Sequence, residues 1–81
     1  MSEVAVLFKI YPKEGAMQSV VEAVKKLGAV GMQEQDVAFG IKVLKALFKF
    51  DDAKNGSSKI EEQIKGIEGV SEVEVEEESL V

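Results

Sequence analysis

The chain has 81 residues, of which 46% are hydrophobic and 31% charged, and carries a formal net charge of -5. That is enough for one modest core and too little for two, since a domain of this size buries only about 60–65% of the surface its unfolded chain exposes, so residues 1–81 are read as a single domain. Without Cys or His, the chain lacks thiolate metal sites, thiol nucleophiles, the commonest metal ligand and the commonest neutral-pH general base, so catalysis, cofactor and metal chemistry are not expected of it.

The first element is a strand. Val4, Val6, Phe8 and Ile10 fall on one side and Ala5, Leu7, Lys9 and Tyr11 on the other, until Pro12 removes a ladder donor. Met17, Val20, Val21, Val24 and Leu27 recur at helical spacing, and Gly28 stands where a left-handed C-cap would. Met32 to Ala38 is thinly apolar and suits a charged edge strand. Phe39-Gly40 marks a bend.

Ile41 to Phe50 is ambiguous in period. As a strand it puts Leu44, Ala46, Phe48 and Phe50 on one face and Val43, Lys45, Leu47 and Lys49 on the other; as a helix it puts Lys42, Lys45 and Lys49 on one side. Its β-branched and aromatic residues favour the strand. Asp51 to Gly56 then supplies turn chemistry, and Ser58-Lys59-Ile60-Glu61 is a capping-box pattern opening a second helix with Ile60, Ile64 and Ile67 as its stripe. Gly69 closes that helix. Val73 and Val75, opposed by Glu72, Glu74 and Glu76, form an acidic edge strand, leaving Glu77 and Glu78 in a polar tail.

The order is β-α-β-β-α-β. Each helix has one apolar stripe, so both cover the same face of a four-stranded antiparallel sheet: an α+β, ferredoxin-like sandwich with the first and third strands central. The N-terminus shows no basic leader and no stretch is long enough to cross a bilayer, which makes the cytoplasm the expected compartment. The negative charge disfavours phosphate backbones and favours a basic protein partner.

Four features could carry chemistry. Asp51, Asn55, Gly56 and Glu62 match positions of a calcium-binding loop, but Ala53 gives no ligand and Lys54 puts a positive charge beside the ion, so a polar turn is the reading. Lys9, Lys45 and Lys49 share the open sheet face, where an RNA binder would stack bases. Only Tyr11 is aromatic there, with Leu7 and Leu47 in place of a stacking platform, so they are read as solvated lysines. The Glu72–Glu78 acids read as a solvated strand face. Phe39 stands out at the tip of a bend: burial is the commoner fate of an aromatic, whereas an exposed tip aromatic would be an interface anchor.

Val37-Ala38-Phe39-Gly40-Ile41-Lys42-Val43-Leu44 and Ile67-Glu68-Gly69-Val70-Ser71-Glu72-Val73-Glu74-Val75, with the strand ending at Tyr11-Pro12 and the Glu61-Glu62-Gln63-Ile64 helix, resemble the archaeal elongation factor 1-beta family over nearly the whole chain. The resemblance implies the same ferredoxin-like fold and a guanine-nucleotide exchange factor acting in translation on elongation factor 1-alpha, the GTPase that delivers aminoacyl-tRNA, without making or breaking a bond. It also implies that Phe39 inserts into the GTPase, presented by Gly40. Eukaryotic members disturb the magnesium site of the GTPase with a lysine next to the C-terminal residue; Leu80 stands there in this chain, so that part of the mechanism does not transfer, and magnesium is expected to be displaced either indirectly or by another basic group such as Lys42 near the turn.

The competing reading is a ferredoxin-like domain that senses a small molecule or oligomerises by packing Ala5, Leu7, Val43 and Leu47 against a second copy. As an exchange factor the chain is expected to be a monomer that contacts neither nucleic acid nor membrane.

Overall fold

A computed structural model describes residues 3–50 and 56–80. The elements are β1 (Val4–Pro12), α1 (Met17–Leu27), β2 (Gly31–Asp36), β3 (Lys42–Phe50), α2 (Gly56–Lys65) and β4 (Val70–Leu80). They form one antiparallel sheet in the order β2-β3-β1-β4. The two apolar strands are therefore central and the two charged ones are edges. This is the ferredoxin-like α+β fold.

The period-2 pattern of β1 translates directly into burial. Val4, Val6, Phe8 and Ile10 are buried, joined by Leu44, Ala46 and Phe48 from β3 and by Val20, Val24 and Ile64 from the helices. α1 packs over β3 and α2 over β4. At the centre the Phe8 and Phe48 rings meet edge to face, 5.6 Å apart at 80°. That is a favoured geometry for two aromatic quadrupoles. Phe50 continues the row, stacked on Phe48 at 6.3 Å.

The ambiguous third segment is a strand because its partners decide it. Leu44, Ala46 and Phe48 pair with Ile10, Phe8 and Val6, all pointing into the core. A strand in this place also removes the incoming helix that a calcium loop would need; Asp51 and Asn55 themselves lie outside the described residues. α1 ends as its sequence suggests, with Gly28 at φ 104° and its N–H donated to the Lys25 carbonyl.

The other helix departs from expectation at both ends. α2 begins at Gly56, so Ser58 lies inside its first turn and is not its cap. It ends at Lys65, and Gly69 instead occupies a separate turn closed by Val70 N–H to the Ile67 carbonyl, 3.2 Å. Its φ of 101° sits at the third turn position, where a type II turn requires a positive value. Space demands glycine there as well: a Cβ would lie 2.9 Å from Ala16 Cβ. The Gly69 carbonyl accepts the Lys13 N–H at 2.6 Å and so ties the β1–α1 loop to the start of β4.

β4 is longer than its alternation indicates. Leu7 pairs with Glu77 but Phe8 with Val75, leaving Glu76 as a bulge. The extra residue reverses the alternation, so Glu77 and Glu78 belong to the strand and not to a tail. At this edge Val75 remains 44% exposed.

Candidate functional site

The turn between β2 and β3 is built from Val37-Ala38-Phe39-Gly40-Ile41. Ile41 N–H donates to the Ala38 carbonyl at 2.9 Å, and Val37 N–H donates to the Ile41 carbonyl at 2.8 Å. Between them Phe39 has φ 53° and Gly40 φ 76°. Positive φ at both central positions is the signature of a type I′ hairpin turn, whose twist matches that of the flanking strands. Gly40 adopts it without strain, and Phe39 does not. A left-handed backbone at a bulky residue costs about 1–2 kcal/mol.

The Phe39 side chain recovers none of that cost by packing, because it is 100% exposed. Leaving a phenylalanine in water forgoes about 1.5–3 kcal/mol of burial. It is not alone. Val37 and Ile41 are 52% and 55% exposed, so the tip carries three apolar side chains in alternate positions. The commoner fate of an aromatic, burial, does not apply to this one. Alternation of Val37, Phe39 and Ile41 was the available signal for the two flanking residues; the bend at Gly40 obscured it.

Lys42 opens β3 opposite Asp36 and is exposed. Together with Phe39 and Ile41 it walls one side of a cleft of about 440 Å³ whose other side is the β1–α1 loop, Pro12 to Gly15. The structure thus brings Phe39, Gly40 and Lys42 to one end of the molecule. It adds Lys13 and Met17, which have no signal in the sequence because their proximity to the turn is tertiary.

The open sheet face is a different surface. Lys9 and Lys45 are direct cross-strand partners, a like-charge arrangement that would repel. Acids from β4 offset it: Glu74 lies opposite Lys9, and Glu76 reaches across β1 to Lys45 Nζ at 3.1 Å. Tyr11 donates its hydroxyl to Glu74 at 2.9 Å, and Lys9 Nζ lies 5.5 Å from the Tyr11 ring centre. The Tyr11 hydroxyl, by hydrogen bonding and then by charge, raises the Lys9 pKa above its ordinary value, with Glu76 and Glu74 adding to it. Lysine and glutamate side chains here face one another. Of the four residues expected to meet a second copy, Val43 is already buried and Ala5, Leu7 and Leu47 are half-buried beside these charges.

Among the described residues no three His, Cys, Asp or Glu side chains converge as a metal site requires. No described helix is long and apolar enough to cross a membrane.

Residues 5–81 match the family model of the EF-1 guanine nucleotide exchange domain. The chain is 39% identical to an elongation factor 1-beta of Ignicoccus hospitalis, over 94% of this chain and 89% of that protein. It is 36% identical to one of Aeropyrum pernix, over 94% and 93%, and 33% identical to one of Thermoplasma acidophilum, over the full length of both. A match of this extent, on a fold that agrees with it, places the chain in the EF-1 guanine nucleotide exchange domain family, among relatives named elongation factor 1-beta.

Proposed function

We propose that the chain is a single exchange domain that promotes GDP release from elongation factor 1-alpha, with the Phe39-Gly40 turn as its working part. The observation that carries this reading is one residue: Phe39 combines complete exposure with a left-handed backbone, two costs that nothing among the described residues offsets. Stored strain at an exposed aromatic is the physical profile of an anchor whose pocket lies on another molecule.

Exchange needs no reacting group. The factor must bind the nucleotide-free GTPase more tightly than the nucleotide-loaded one, and by linkage it then weakens nucleotide binding by the same ratio. Phe39 supplies a rigid apolar wedge on a two-residue turn, Gly40 gives the turn its sharpness, and Lys42 offers a cation beside it. The chain works as a cytoplasmic monomer, with no bond made or broken and no cofactor held.

The test is release of a fluorescent GDP from elongation factor 1-alpha followed by stopped flow. The release rate should rise with the concentration of the chain and saturate. A rate equal to spontaneous release at every concentration would contradict the proposal.

A further inference from the structure

We infer that the cleft between the Pro12–Gly15 loop and the Phe39–Lys42 turn is a second, oppositely shaped half of the partner surface, taking an acidic side chain with an apolar neighbour from the GTPase. The inference rests on the exchange reading above and deepens it, since it names what lies beside the Phe39 pocket on the partner.

Three observations lead there. Phe39 itself lines the cleft, so anything that receives the ring comes against the cleft. At about 440 Å³ it falls within the size range of sites that receive a ligand group. Its lining also runs against the charge of the molecule: Lys13 and Lys42 line it with Glu14, and Asp36 faces Lys42 from β2, on a chain whose net charge is -5. Neither lysine makes an ion pair with another described residue, a state they share with most described lysines but one that leaves both ammonium groups able to meet a carboxylate.

The chemistry follows from the lining. Pro12, Met17 and Ile41 offer apolar surface, and the two ammonium groups favour a carboxylate over a cation. A projecting ring next to a receptive cleft fixes the rotation of the domain about the Phe39 anchor, which a single knob cannot do. The loop side of the cleft is held from behind by the Lys13 N–H bond to the Gly69 carbonyl, so it is set before the partner arrives.

The test uses Lys13→Glu, Lys42→Glu and the double variant, each measured for GDP release from elongation factor 1-alpha and for thermal unfolding. A Lys25→Glu/Lys26→Glu pair, at the far end of α1, makes the same change in net charge. The cleft variants should raise the concentration needed for half-maximal exchange by about tenfold each and more than thirtyfold together, with unfolding shifted only slightly, and only in the Lys42 variants, where the new glutamate faces Asp36. The Lys25/Lys26 pair should shift it less than threefold.

Equal shifts in the cleft pair and the control pair, or no shift in the cleft pair while Phe39→Ala still lowers exchange, would overturn the cleft and leave the exchange reading standing. A wild-type chain that does not speed GDP release would remove the partner, and the cleft would fall with it.

Discussion

Phe8 and Phe39 are the same residue in opposite circumstances. Phe8 is 0% exposed, set edge to face against Phe48 in the middle of the sheet, with a partner on each neighbouring strand. Phe39 is 100% exposed on a positive-φ backbone. The glycines repeat the contrast. Gly69 is required by the interior, where a Cβ would strike Ala16, while Gly40 has nothing within 4 Å and is required only by the turn. Phe8 and Gly69 are explained by the interior and Gly40 by its turn, whereas no packing explains Phe39.

The contrast can be broken by substitution, beginning with the core. Phe8→Ala should cost about 3–5 kcal/mol, the usual range for deleting a buried aromatic. Because a domain of this kind has a total stability of about 5–15 kcal/mol, urea unfolding should show the midpoint falling by about a fifth or more. A loss below about 1 kcal/mol would mean that the Phe8–Phe48 contact is not the centre of the core.

Gly69→Ala comes next, at about 2–3 kcal/mol, combining a disfavoured φ with the Ala16 clash. Adding Ala16→Gly should recover the steric share and leave the backbone share, so the double variant should be more stable than the sum of the singles predicts. Simple additivity in a urea-unfolding cycle would show that the two residues do not touch.

Lys45→Ala should have the smallest effect, within about 1 kcal/mol, because it breaks a partly exposed ion pair while also relieving the Lys9 repulsion. Its thermal midpoint should change by less than a few degrees and lose what little sensitivity it has to salt. A large drop would move the open face from the solvated class to the structural one.

How far these roles were legible depends on whether their cause is local. The alternation of β1 and the stripe of α1 predict burial because periodicity and burial share one geometry. Gly28 was legible because a C-cap follows from its own φ. Gly69 was misplaced as a helix end, since its neighbour Ala16 is far away in sequence. Glu77 and Glu78 looked like a tail because the Glu76 bulge reverses the phase of β4, and a bulge leaves no mark in composition. α2 starts two residues before its capping-box pattern.

Phe39 was found but its exposure was not. Spacing favours burial, while the place at the tip of a bend and the family resemblance point outward. Its bend is visible in Gly40, whereas the left-handed backbone at Phe39 is not legible in the residue type, because a bulky side chain disfavours it. The Lys13 side of the cleft left no signal, being assembled by folding.

The most direct test of the central claim is Phe39→Asn. Asn-Gly is the sequence that a type I′ turn prefers, so this substitution keeps the hairpin and removes only the ring. Thermal unfolding should show a gain of about 0.5–1 kcal/mol as the left-handed strain is relieved, and stopped-flow GDP release from elongation factor 1-alpha should fall to near the spontaneous rate. A variant that loses stability, or one that exchanges nucleotide as fast as the parent, would contradict the account.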